Sequence, residues 1–184
     1  LRKALALFQG ASWELKGNKL VNAKTGQPFT IEFLESDPSF ERVVAPYIQN
    51  LKRIGIDATL RVVDTAQYVA RVNDFDFDVV STVIAQSHSP GNEQREMWGS
   101  AAAKTPGSRN LMGIQNPAVD ALIDRVVFAT NRDDLVAATH ALDRVLLWNY
   151  YVVPQWFSDT INVAYWNKFG IPEKQPEYVG IDTY

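Results

Sequence analysis

The side chains best able to do chemistry lie between Asn73 and Gly99, in the stretch NDFDFDVVSTVIAQSHSPGNEQREMWG. Val79, Val80, Val83, Ile84 and Ala85 form an apolar, β-branched run of the kind a buried parallel strand requires. Gln86, Ser87, His88, Ser89, Pro90, Gly91 and Asn92 follow, with no apolar residue among them. Open α/β sheets collect ligands at the carboxyl ends of their strands. A strand ending in amides, hydroxyls and an imidazole, with Glu93, Arg95 and Trp98 close behind, is built to hydrogen-bond a polar ligand. The candidate contacts are therefore Gln86, Ser87, His88, Ser89, Asn92, Glu93, Arg95 and Trp98. Arg109 joins them, because Arg95 and Arg109 can each fork onto a carboxylate.

Turnover needs more than this stretch offers. The chain has two histidines and no cysteine, and no G-x-S-x-G elbow occurs. A Ser-dependent hydrolase would need Ser87 or Ser89 bonded to His88 with an acid behind the imidazole. It stands as a distant alternative. His140 falls within an expected helix, on a partly exposed face. No His-x-x-x-His or Glu-x-x-His spacing suggests a metal. Asp74, Asp76 and Asp78 alternate with Phe75 and Phe77 but lack the Gly and terminal Glu of a calcium loop. No G-x-G-x-x-G or Walker pattern is present, so no cofactor is expected. Trp148, Tyr150 and Tyr151 read as core aromatics.

The bulk composition narrows the class. The 184 residues are 46% hydrophobic and 21% charged, with a net charge of -3; this is globular, and too short for two large cores. With no basic run, there is no electrostatic footprint for nucleic acid. No apolar run approaches the roughly 18 residues of a membrane span. The chain opens on Leu1 inside a helical pattern and stops at Tyr184 without a closing element. It reads as one domain, 1–184, cut from a longer protein, any export signal lying upstream.

The elements that must position the polar stretch are α/β in order. Leu1–Ala11 reads as the tail of a helix, and Trp13–Leu15 and Lys19–Val21 as a hairpin about Gly17-Asn18. Phe29, Ile31 and Phe33 alternate as a half-buried strand. Asp37-Pro38 caps a helix whose Phe40, Val43, Val44, Tyr47, Leu51 and Ile54 share a face, with Pro46 expected to kink it. Ile56–Val63 alternates again, and Asp64 with Gln67 resembles a capping box. Ser100–Asn110 reads as a surface loop. Asn116-Pro117 opens one helix and Thr130 or Asn131 caps another. Tyr151–Phe157 and Ile161–Trp166 read as a final extended pair.

Several of these segments resemble a known family. Pro46–Ile56 (PYIQNLKRIGI), Asp76–Val79 (DFDV) and Asn116–Ile123 (NPAVDALI) are similar, in order and spacing, to the second lobe of bacterial extracellular solute-binding proteins of the oligopeptide/dipeptide/nickel class. Ser87–Arg95 (SHSPGNEQR) and Leu142–Trp148 (LDRVLLW) resemble its Yej-type peptide-binding branch. The resemblance implies one lobe of a type II periplasmic binding protein, a central mixed sheet flanked by helices, within a two-lobed receptor. It implies a monomer in the periplasm, or tethered outside the membrane, that closes on a peptide and hands it to the membrane permease of an ABC importer. An oligosaccharide or a nickel chelate is the alternative cargo. Many members hold the peptide's ammonium with an Asp four residues before the loop's Pro. Here that position is Gln86, which leaves Glu93 or a group on the other lobe to take the role.

Overall fold

The computed structural model describes residues 1–87, 89–156, 164, 166, 168 and 170. The chain divides into two compact units, Leu1–Tyr151 and Val152–Tyr184. In the second, Val152–Trp156 belongs to no strand, and most of the extended pair expected there lies outside the described residues.

In the first unit, helix α1 (Arg2–Gly10) leads into an antiparallel hairpin, β1 (Trp13–Lys16) and β2 (Lys19–Asn22). A parallel sheet follows, built from β3 (Thr30–Glu35), β4 (Asp57–Val62) and β5 (Val79–Val80) in the order β4-β3-β5. Helix α2 (Glu41–Lys52) makes the β3–β4 crossover and α3 (Thr65–Asn73) the β4–β5 crossover. Asp37 caps as expected, its carboxylate accepting from the Ser39 N–H, but one 3-10 turn (Pro38–Phe40) precedes α2. Helix α2 runs on through Pro46, which is exposed. Asp64 accepts from the Gln67 N–H at 2.9 Å and starts α3.

The amphipathic stripes bury two apolar clusters. Phe33, Val44, Ile48, Ile54, Ile56, Ala58 and Leu20 form the first, joining sheet, α2 and hairpin. Gly55 makes the close approach between α2 and hairpin possible. At φ +84°, an added Cβ would stand 2.6 Å from the Leu20 nitrogen, closer than carbon atoms tolerate and in a region only glycine visits freely.

Three further helices carry the second cluster: α4 (Glu93–Trp98), α5 (Pro117–Val127) and α6 (Arg132–Trp148). Met97, Trp98, Ile114, Val119, Ile123, Val126, Ala138 and Leu142 meet there. Asn116 caps α5 and Asn131 caps α6 through their side-chain oxygens. His140 lies exposed on α6.

Three expectations need correction. The run Val79–Ala85 is not one buried strand: pairing stops at Val80, and Val83 is 87% exposed. The register sets Val80 opposite Leu34, so Ser81 meets Glu35, the last residue of β3. Beyond Glu35 the chain turns at Asp37-Pro38 and offers no backbone to continue the ladder. β5 is also an edge strand of the described sheet rather than a central one. Lastly, Trp148 (73% exposed) and Tyr150 are surface residues; only Tyr151 packs against the second cluster.

Candidate functional site

Parallel β3, β4 and β5 aim their carboxyl ends the same way, and the polar stretch leaves from that edge. From Thr82 to Ser87 the chain belongs to no regular element, and every side chain is exposed. Among the described residues, no backbone hydrogen bond is made by residues 82–87. Amides and carbonyls left unpaired must be satisfied by water or by a ligand. Among the described residues this segment is therefore a length of free main chain, running on from β5 at the edge of the described sheet.

Two anchors fix it. At its start, the Ser81 hydroxyl donates to Glu35 Oε1 at 2.5 Å, and the Tyr68 hydroxyl donates to the Ser81 carbonyl at 3.3 Å. Glu35 is 4% exposed, and burial pushes its carboxyl above the usual range, with the Asp37 charge adding to the rise and the Ser81 bond opposing it. Burial raises Tyr68 too, with the Glu35 charge in second place. At the far end, Gln94 on α4 is the hub. Its amide nitrogen donates to Gln86 Oε1 at 2.7 Å and to Glu93 Oε1 at 3.2 Å, and its oxygen accepts from Trp98 Nε1 at 2.9 Å. The Gln86 amide nitrogen in turn donates to Met97 Sδ at 3.2 Å.

These bonds sort the residues expected from sequence. Gln86, Glu93 and Trp98 come together through Gln94, each already engaged inside the domain. Glu93 accepts from the Gly91 N–H at 2.8 Å, which holds its carboxyl below the usual range. Ser87 accepts from the Ser89 N–H, closing a tight turn. Asn92 stands at the start of α4 without a side-chain capping bond. His88 lies outside the described residues.

Arg95 is a correction. Its guanidinium pairs with Asp124 of α5 at 2.6 Å and sits 5.8 Å above the Phe128 ring. One arm of that fork is engaged at the surface of α5. Trp98 is also corrected: at 8% exposure it packs in the core rather than offering an open stacking platform. One side of it still lines a groove of about 230 Å³, together with Thr82–Ile84 and the loop bearing Arg109 and Met112. Trp98 and Arg109 thus share a groove that Arg95 does not line.

Two residues escaped the sequence reading. Gln94 is 4% exposed, and its only signal is the i, i+4 spacing to Trp98 on a short helix that the sequence does not mark. Asn110 is fully buried. Its amide donates to the Gly99 and Ile114 carbonyls and its oxygen accepts from the Ile114 N–H, pinning the loop that carries Arg109. No local pattern marks it. Among the described residues no acidic or histidine cluster could hold a metal ion.

Residues 1–106 match the family model for bacterial extracellular solute-binding proteins, family 5. The chain belongs to that family, and its α/β fold is that of a lobe of type II periplasmic binding proteins. It is 55% identical over 97% of its length to a probable peptide-binding protein YejA of Agrobacterium fabrum, of which it covers 29%. Among solved structures it is similar to the oligopeptide-binding protein AppA of Bacillus subtilis in complex with a nonapeptide (TM-score 0.71, 19% identity, 82% of this chain and 30% of that one). A periplasmic oligopeptide-binding protein of Thermotoga maritima holding mannohexaose matches equally (TM-score 0.71, 16% identity, 85% and 30%). The chain therefore spans under a third of the length of these relatives.

Proposed function

We propose that this chain is one lobe of a two-lobed, extracytoplasmic receptor that binds peptides for an ABC importer. The observation that carries the reading is the free main chain of residues 82–87. A peptide laid beside it gains backbone hydrogen bonds whatever its side chains, as in strand addition to a sheet edge. The YejA relative named as a probable peptide binder and AppA with its nonapeptide support the same cargo. Glu93, kept ionised by the Gly91 N–H, is the loop's candidate for the peptide ammonium, since both polar ends of Gln86 are already used. The second lobe closes the cleft, and the loaded monomer docks on its membrane permease. The chain performs no catalysis, because a nucleophile needs an oriented base and the site is organised around amides.

The mannohexaose complex makes sugar the second reading. Sugars favour exposed aromatic platforms, and the one aromatic lining this groove is the buried Trp98. Native mass spectrometry of the full-length receptor purified from its host decides between them. Co-purified masses that fragment as peptides are expected; oligosaccharide or metal-chelate masses would overturn the proposal.

A further inference from the structure

We infer that the C-terminal end of α6 is where this lobe is joined to the remainder of its receptor. Leu147, Trp148 and Tyr150 form an apolar seat there for chain that lies outside residues 1–184. This rests on the reading of the chain as one lobe of a larger receptor, and adds where the rest of that receptor packs.

Exposure alone does not single these residues out. Leu1, Leu7, Val83 and Phe128 of the first unit are also at least half exposed, and apolar side chains standing singly on a surface are ordinary. Leu147 (50%), Trp148 (73%) and Tyr150 (79%) differ in falling together at one helix end. Helix α6 already buries one face in the second cluster, through Leu135, Ala138, Leu142, Val145 and Leu146. Leu147 and Trp148 lie off that stripe. No charged residue occurs from 145 to 157 (VLLWNYYVVPQWF), so the sequence gives the patch no charge of its own.

The backbone points the same way. Tyr150 follows the helix at φ +55°, in the left-handed region that glycine fills without strain at such an end. Phe75 adopts the same conformation after α3, at φ +56°, but its side chain is half-buried within the domain. Tyr150 is held out in solvent, and its burial offsets nothing. A local rule broken without a local gain marks a contact made elsewhere.

Two observations name the occupant. The chain matches the Agrobacterium fabrum relative over 97% of its own length yet covers 29% of that relative, so most of such a receptor is chain outside this lobe. A contact of Trp, Tyr and Leu without charge also suits a permanent partner. Lasting interfaces are more hydrophobic than transient ones, and a patch bared whenever a permease departed would invite aggregation.

The test uses the full-length receptor, purified without its permease, with a photoreactive benzophenone amino acid in place of Trp148 or, in a second variant, of Tyr150. Irradiation should give a cross-link at monomer mass, mapped by peptide mass spectrometry to residues outside 1–184. Hydroxyl-radical labelling of the unmodified receptor gives an independent reading. Trp148 should oxidise as slowly as the buried Trp98, rather than several-fold faster. A cross-link confined to residues 1–184, one at dimer mass, no cross-link from either probe, or fast oxidation of Trp148 would each overturn the seat. Peptide co-purifying with a receptor whose Trp148 is open to water would overturn this contact and leave the peptide reading standing. A cross-link outside 1–184 in a receptor that carries sugar would uphold the contact and overturn the peptide.

Discussion

Gln94 and Gln86 are joined side chain to side chain at 2.7 Å, from a buried helix position to the end of the free main chain. The bond ties the segment 82–87 to the second apolar cluster, because Gln94 also holds Trp98. Gln86 therefore positions the segment.

Gln94→Leu should expose this dependence. It fills similar space but strands the buried Trp98 Nε1. An unsatisfied buried group costs about 1–3 kcal/mol, so urea unfolding of the chain should show a loss of about 2 kcal/mol. A loss below about 0.5 kcal/mol would mean that the hub is dispensable.

Glu35 gives a pH signature. Its carboxyl titrates above the unfolded value, so the folded state binds its proton more tightly. That contribution is present in full below the unfolded pKa and is lost as pH rises through the folded pKa. Glu35→Gln keeps an acceptor for Ser81 and removes the buried charge. The variant should equal or exceed the parent in stability at pH 7, with the difference shrinking as pH falls through the folded pKa and gone below the unfolded value of about 4. Urea midpoints across this range read it; a variant clearly less stable at pH 7 would contradict the burial argument.

Arg95→Ala separates surface pairing from ligand contact. An exposed ion pair contributes about 0–1 kcal/mol, and a surface cation–π contact a similar amount. Stability should fall by about 1 kcal/mol, and tetraalanine affinity of the full-length receptor should change less than about twofold. A tenfold loss of affinity would return Arg95 to the site.

Residues 1–184 alone should unfold cooperatively and sediment as a monomer, since two apolar clusters are buried within the first unit. They should bind peptide poorly. A single wall forfeits the contacts and water exclusion of the opposing lobe, and each 1.4 kcal/mol or so is about tenfold. Equal affinity in the chain and the full-length receptor would mean that the site lies wholly here.

What the sequence disclosed, and what it hid, follows from the range of the forces involved. Caps at Asp37, Asp64, Asn116 and Asn131, the Gly17-Asn18 hairpin and the amphipathic helices are local, and each was readable within a few residues. The length of β5 was not, because it depends on where its partner β3 turns away at Asp37-Pro38. Val83 and Ile84 look like core residues in isolation; they line a groove, and among the described residues no strand continues beside them. Arg95 could fork onto any carboxylate, in the domain or on a ligand, and only the packing of α5 names Asp124 as its partner. Gln94 and Asn110 carry no motif at all, and their burial is set by helices and loops far along the chain.

The central claim is that peptide pairs with the free main chain of residues 82–87, and amide hydrogen exchange in the full-length receptor tests it most directly. At saturating tetraalanine, the amides of this segment should exchange markedly more slowly than in the empty receptor. Peptide that binds while these amides exchange at unchanged rates would contradict the account.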